Sequence, residues 1–471
     1  MSRPKLCDRL RVRRMTLALA LLAGFAVAAG GGDDFPDVVC TDLDSIWVYL
    51  GDPAGGFQVP EQYFIGDAVE PWSVAVGDLN SDGLPEIVSA NRFGPHIAVF
   101  WNQGEGIFDT IPMLIDTPER PYDVDLGDLN GDESLDIVVT CNYDPGAVYI
   151  FWNDEEGGFL NPTRLFPGEE AFNTVLVDLD GWASLDLVVV RNGAEDLLVY
   201  MNDGGGDFEP RSPVPAGTDP KAIRAADFNG DGFADVAVTN DAGGTIRIFL
   251  GDGSGGLAEK ASYAAGVQPR ELVAVDLDLD GAQDLMVVGG RNSDYVCRFL
   301  GRGDGTFYGR LDSTTGPRPN SIDAADLDLD GFPDVAVANW SLDNPSLATM
   351  TILYGDGLGG FSRHSDFVPA GGFDKLTALA VGQLNQTAFL RGDTSGDRVL
   401  QITDPVLVLR YLFDVSEILC LDSGDADDNT VLEVTDAIRI LMWLFLDGPA
   451  PRSPFPDAGF DPTPDLLGCD S

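Results

Sequence analysis

The chain has 471 residues, 44% of them hydrophobic and 9% aromatic, which is enough to bury a large core in more than one domain and excludes a disordered polymer. Against 28 Lys and Arg stand 77 Asp and Glu, a formal charge of −49 that repels phosphate backbones and anionic membranes and so argues against nucleic acid as a partner. Such acidity is either a solvated surface or a set of carboxylates gathered for hard cations, and the spacing of the Asp residues separates the two.

Residues 1–29 read as a signal peptide. Arg3, Lys5, Arg9, Arg11, Arg13 and Arg14 precede an apolar run from Thr16 to Ala29 that is short for a membrane span, and Ala26-Val27-Ala28 offers a cleavage site. The expected location is secreted or cell-surface associated, with no transmembrane anchor in the mature chain. The pair Arg13-Arg14 leaves both general and twin-arginine export open. Of six cysteines, Cys7 leaves with the signal, while Cys40, Cys141 and Cys297 fall in strand-like runs and read as inert buried thiols. Cys420 and Cys469 bracket the last segment of the chain and form the better candidate pair in an oxidising compartment.

A repeat then fills the sequence. DLNSDGLPEIV, DLNGDESLDIV, DLDGWASLDLV, DFNGDGFADVA, DLDLDGAQDLM and DLDLDGFPDVA begin at Asp78, Asp128, Asp178, Asp227, Asp276 and Asp326, a period of 49 or 50 residues. Each period holds an apolar strand of small residues, the Asp-rich loop, two further strands, a glycine hairpin and a fourth strand. In the fourth period these are Ala222 to Ala226, then Val236 to Thr239, Ile246 to Leu250 and the turn Gly251 to Gly256. Four antiparallel strands per unit make a propeller blade, and the β-branched runs and glycine turns exclude helical solenoids.

The ends are complementary. DDFPDVVCTDLDSIWVYLGDPAGGF lacks a first strand, and LTALAVGQLN near Thr377 supplies one. The expected fold class is all-β: a seven-bladed β-propeller of four-stranded antiparallel blades over residues 33–388, closed by pairing of the N- and C-terminal segments, which removes exposed sheet edges.

Each Asp loop offers side-chain oxygens at positions 1, 3, 5 and 9, with a backbone carbonyl expected at position 7, the alternate spacing that wraps a calcium ion. The candidate ligands are Asp78, Asn80, Asp82 and Glu86; Asp128, Asn130, Asp132 and Asp136; Asp227, Asn229, Asp231 and Asp235; Asp276, Asp278, Asp280 and Asp284; and Asp326, Asp328, Asp330 and Asp334. In the third loop Asp178, Asp180 and Asp186 remain, but Trp182 replaces the position 5 carboxylate, so full binding is not expected there. The second carries Glu133 where the turn favours glycine. About five calcium ions are expected in the propeller, against the alternative of Asp-turn chemistry without metal.

These units resemble the FG-GAP or VCBS repeats of integrin-α-type propellers, with the hairpin closing on Phe57, Phe108, Phe159, Phe208, Phe307 and Phe361, and Leu257 departing. After Arg391 the composition changes. GDTSGDRVLQITDPVLVLRYLF and GDADDNTVLEVTDAIRILMWLF are two calcium-loop and helix stretches that resemble a tandem type I dockerin over residues 391–447, ahead of a Pro-rich tail at 448–471. The small α-helical, EF-hand-like spacing assigns Asp393, Ser395, Asp397, Gln401 and Asp404, then Asp425, Asp427, Asn429, Glu433 and Asp436, as ligands for one or two more ions. The resemblance implies docking to a cohesin-like or other extracellular protein.

Six residues before each loop lie Trp72, Tyr122, Phe172, Lys221, Arg270 and Asn320, which the strand order places around one mouth of the channel, aromatic on one side and basic on the other. Asn91, Arg92, Asn142, Tyr143, Arg191, Asn192, Asn240, Arg291, Asn292, Asn339 and Trp340, beyond the second strands, belong to the same face. They are a binding surface for polysaccharide or protein, or else blade packing and turn chemistry. His96 and His364 sit in no zinc motif and no nucleophile elbow occurs, so the chain is expected to be a non-catalytic interaction module. The alternative is a polysaccharide-degrading lyase or glycoside hydrolase on a propeller scaffold.

Overall fold

The computed structural model describes residues 35–384, apart from 53–55, 68, 118–119, 143–145, 155–156, 160–161, 169, 291–292, 342–347, 370–372 and 374, together with Ile438 and Ile440. Seven antiparallel sheets stand around a common axis. Their innermost strands are Pro71–Gly77, Pro121–Gly127, Ala171–Val177, Pro220–Ala226, Pro269–Val275, Pro319–Ala325 and Ala378–Gly382. These strands contact one another in a complete cycle, the last touching the first.

The second strand of each blade explains the long apolar runs. Glu86–Asn91, Asp136–Cys141, Asp235–Asn240 and Asp334–Asn339 are buried at every residue, because each lies in the middle of a sheet with a neighbouring blade on both faces. Outer strands such as Leu257–Ala264 alternate between half-buried and exposed residues instead. The core is therefore divided among the blade interfaces. One cluster joins Val39, Ile46 and Tyr63 of the seventh blade to Ile87, Ala98 and Phe100 of the first. Cys40, Cys141 and Cys297 are buried thiols outside any disulfide, and burial pushes the Cys297 thiol up to about 12.

The seventh blade forms from the two ends, with Ala378–Gly382 paired to Asp37–Thr41 from Asp37 against Gly382 to Thr41 against Ala378. The third blade departs from four strands. Its outer edge is split into Phe208–Pro210 and Val214–Pro215, which both pair the strand Asp196–Asn202. Pro210, Pro213 and Pro215 lack the N–H that a continuous strand would donate.

Ile438 and Ile440 are helical, Ile440 buried and Ile438 about half exposed. The signal segment, Cys420, Cys469, the tail and all the dockerin-like ligands lie outside the described residues. Among those described, no helix is long and apolar enough to cross a membrane.

Candidate functional site

The antiparallel order puts the Asp loops and glycine hairpins at one end of the channel and the inter-blade connections at the other. Each loop is organised around its ninth position. Both oxygens of Asp136 are used: one accepts the N–H of Leu129 at 3.1 Å and the other that of Asn153 at 2.9 Å. Asp186, Asp235, Asp284 and Asp334 repeat the pattern, and Glu86 does so with Leu79 and Asn102. The position 1 carboxylate accepts the N–H of position 6, as Asp78 does from Gly83 at 2.8 Å. That sixth residue has a left-handed backbone, at φ 85° in Gly232 but also at 71° in Glu133 and 63° in Ala183, so the second and third loops keep the turn without the glycine that makes it easy.

The loops fall into two groups. Where position 3 is Asp, one oxygen from each of Asp276, Asp278 and Asp284, and from each of Asp326, Asp328 and Asp334, lie within 4.8 Å of one another. Asp178, Asp180 and Asp186 converge in the same way, because Trp182 is turned out with 82% of its surface exposed and leaves the three carboxylates undisturbed. Where position 3 is Asn, its amide is drawn into the loop: Asn80, Asn130 and Asn229 each donate to the position 5 carboxylate, Asp82, Asp132 and Asp231, at 3.1, 2.7 and 2.9 Å. In the sixth loop Arg363 binds Asp328 at 2.8 Å.

Burial, and then the charges of positions 1 and 3, push Asp284 and Asp334 up to about 7. Glu86 rises to about 8, with Asp82 and Asp78 as the neighbouring charges. Like charges packed this closely, with only oxygen donors, suit a hard divalent cation.

At the opposite end, Trp72, Tyr122, Phe172 and Asn320 occupy one structural position. Pairing runs from Pro71 against Asn91 straight to Ser73 against Ala90, so Trp72 is the extra residue of a β-bulge; Tyr122, Phe172 and Asn320 are bulged likewise. Lys221 and Arg270 lie in wider bulges between Pro220 and Ile223 and between Pro269 and Leu272. A bulge re-aims its side chain, here into the channel mouth. The preceding connection helps: Glu70, Asp219, Gln268 and Arg318, each just before a proline, are left-handed at φ 44° to 59°. Their carbonyls accept N–H groups of Arg92, Asp241, Gly290 and Trp340, which ties the connection to the loop after the second strand.

The ring closes into two banks. Trp72 and Tyr122 have centroids 5.6 Å apart, and Tyr122 and Phe172 4.3 Å. Lys221 Nζ lies 4.1 Å over Phe172 and 2.8 Å from Asp219, and Arg270 donates to Asn320 at 3.3 Å. Arg92 covers Trp72 at 4.6 Å. Burial raises Asp219, but hydrogen bonds from Asn192 and Lys221 and the charges of Lys221 and Arg270 outweigh it and hold the carboxyl low. Between the banks is a cavity of about 660 Å³. Other residues of this face serve packing and turns: Asn91, Asn240 and Asn339 are buried, Arg191 pairs with Asp196 at 2.7 Å, and Trp340 is buried near Lys375. Tyr143, Arg291 and Asn292 lie outside the described residues.

Below the mouth is a charge cluster that the repeat pattern did not reveal. Arg224 pairs with Glu271 at 2.9 Å and feels the charges of Asp125, Asp123 and Asp323. Asp123 accepts from Ser73, Asn173 and the Thr174 backbone, and Asp125 from Thr174 Oγ1. Desolvation and the charge of Asp123 push Asp125 up to about 7. The signal was present: these residues stand one or three positions after the ring residue, inside strands otherwise built of small apolar side chains.

A profile of the FG-GAP-like repeat matches residues 32–89, 78–139, 128–181, 177–238, 227–287 and 276–337, more than half of the chain. The chain belongs to the FG-GAP-like repeat family. No curated protein is matched by this FG-GAP sequence. Among solved structures it is similar to the periplasmic gluconolactonase PpgL of Pseudomonas aeruginosa, at 17% identity over 74% of this chain and 99% of that one, TM-score 0.52. A Bacteroides fragilis protein provisionally described as a 6-phosphogluconolactonase aligns at 15% identity over 74% and 98%, TM-score 0.54. A functionally unknown protein of Desulfotomaculum acetoxidans aligns at 14% over 71% and 99%, TM-score 0.50.

At these identities the likeness is one of fold. It still corrects the expectation of a non-catalytic module. That expectation rested on missing zinc and nucleophile motifs, and proteins described as lactonases share this architecture, so the scaffold is one that enzymes use.

Proposed function

We propose that the chain is a secreted, calcium-stabilised propeller that recognises a saccharide at the channel mouth, while its dockerin-like segment docks it to a cohesin-like extracellular partner. The observation that carries the reading is the arc of Trp72, Tyr122 and Phe172, continued by Lys221 and Arg270, around a cavity of about 660 Å³, a size suited to a small ligand. Aromatic faces stack on the apolar faces of sugar rings, and the amide and charged groups opposite bind hydroxyls. Calcium at the far ends of the same strands fixes the blades, since metal binding to a site absent from the unfolded chain contributes directly to folding.

The test is glycan binding by the mature chain, followed through tryptophan fluorescence and calorimetry. Trp72→Ala is expected to abolish binding while leaving the melting temperature within a few degrees. Binding undiminished in that variant refutes the assignment of the mouth.

A second reading has its own observation. Asp123 and Glu271 line the cavity directly beneath the mouth, so a saccharide seated there has carboxyl groups below it, as glycan-cleaving enzymes require. Asp123 accepts three hydrogen bonds across both of its oxygens, whereas Arg224 and the Leu272 N–H both meet Glu271 at Oε1, which makes Glu271 the acid to test. Release of reducing or unsaturated sugar ends that disappears in Glu271→Gln supports turnover. Release that persists in that variant removes Glu271 from it.

A further inference from the structure

Resting on the saccharide reading, we infer that the mouth selects an anionic saccharide, one bearing a carboxylate or sulfate group, and holds that group at the rim between Lys221 and Arg270.

The first argument is charge. The chain as a whole carries 77 acidic residues to 28 basic ones. The cavity at the mouth reverses that balance, with Arg92, Lys221 and Arg270 against Asp219 and Asp241. Lys221 and Asp219 pair at 2.8 Å and Arg92 lies 3.8 Å from Glu70, so the excess among the residues that line the cavity is one cation. A local excess of cations in a strongly anionic molecule focuses field lines on one opening and raises the local concentration of anions there.

The second argument is arrangement. Tyr122, Arg92 and Arg270 line the same cavity, with Arg92 5.8 Å over the Tyr122 ring, which places a phenol hydroxyl and two guanidinium groups around one opening. Guanidinium forks match the planar oxygens of carboxylate and sulfate groups. Arg92 lies 4.6 Å over Trp72 and Lys221 4.1 Å over Phe172, so ring and cation stand side by side, and a ligand that uses both must have an apolar face and an anionic substituent on one body.

The third argument is depth. Beneath the mouth, carboxylates outnumber cations among the described residues, with Arg224 set among Asp123, Asp125, Glu271 and Asp323. An anion pushed down the channel meets that excess of carboxylate, so the charged substituent stays at the rim and neutral hydroxyls face inward. A small inorganic anion has nothing to stack on the arc and is not held by it.

The experiment compares trigalacturonate, a sulfated galactose trisaccharide and uncharged galactotriose on the calcium-loaded mature chain, at low and physiological salt. At least one of the anionic probes is expected to bind tenfold or more tightly than galactotriose at low salt, with that margin shrinking as salt rises. Which of the two binds identifies the carboxylate or the sulfate as the natural group. Arg270→Gln and Lys221→Gln are each expected to erase the margin while galactotriose binding is retained. The salt series on the unaltered protein tests the same point if either variant fails to fold. Equal affinity for all three probes, abolished by Trp72→Ala, overturns the anion selectivity and leaves the saccharide reading standing. No binding of any probe overturns both.

Discussion

Asp37 accepts the backbone N–H of Leu384 at 2.6 Å, joining residues 347 apart in sequence, and its other oxygen takes the N–H of Gly51 at 2.8 Å. This is the two-bond pattern of Asp136, Asp235 and Asp334, rebuilt at the seam from the two ends of the chain. The carbonyl of Leu384 in turn accepts from Asn102 of the first blade, and on the opposite face Lys375 pairs with Glu70 at 2.7 Å.

Removing the seam carboxylate should therefore open the ring. Asp37→Ala deletes two bonds to a buried charged group, each worth about 1.5–3 kcal/mol, and is expected to lower the urea midpoint far more than Asp154→Ala, whose carboxylate holds the exposed Gly158 N–H. Equal midpoints for the two variants would show that closure does not depend on Asp37.

Calcium should govern melting. A chelator is expected to lower the Tm of the mature chain, and an unchanged Tm excludes a structural metal. Because the carboxylates of the third loop converge despite Trp182, Asp180→Ala is expected to lower the calcium stoichiometry at saturation by one. A stoichiometry equal to that of the unaltered protein places no ion there.

Arg224 is the hub of the channel charges. Arg224→Met leaves Glu271, Asp123, Asp125 and Asp323 facing one another, at a cost of about 1–3 kcal/mol, between the values for exposed and fully buried pairs because the guanidinium is partly open to the channel. The loss should be larger at pH 8 than at pH 5, where protonation relieves the repulsion. A loss independent of pH would show that packing of the side chain, not its charge, is what matters.

Asp125 gives a pH dependence of opposite sign to that of a salt-bridged carboxylate. Its pKa is raised from the ordinary carboxylate range to about 7, so the folded chain holds a proton that the unfolded chain releases. Its contribution to stability falls as pH rises from about 4 to 7 and is constant above. Asp125→Asn is expected to flatten that part of the stability curve, measured by denaturation at fixed calcium. An unaltered slope assigns the titration elsewhere.

The repeat made the propeller legible, because a 50-residue period with Asp loops fixes strand number, strand order and face. The complementary ends made the seventh blade legible for the same reason: Asp37 stands in its segment where Asp334 stands in its own. The ring from Trp72 to Asn320 was found by counting back from the loops, yet nothing in that count reveals a β-bulge, since bulges arise from backbone pairing. The convergence of Asp178, Asp180 and Asp186 was not legible from the sequence, because Trp182 turns to solvent and leaves its neighbours in place. The channel cluster escaped because Asp123, Arg224, Glu271 and Asp323 come from four different blades and meet only around the axis.

The bulges also separate two kinds of change. Trp72, Tyr122, Phe172 and Asn320 have no partner residue across the strand, so exchanging one alters what the mouth contacts without breaking a rung of its sheet. The ninth-position carboxylates, which tie each Asp loop to its glycine hairpin, begin the neighbouring strands at the other end of the blades. A lineage built on this scaffold can therefore drift in what it recognises, one blade at a time, while what holds it together is left untouched.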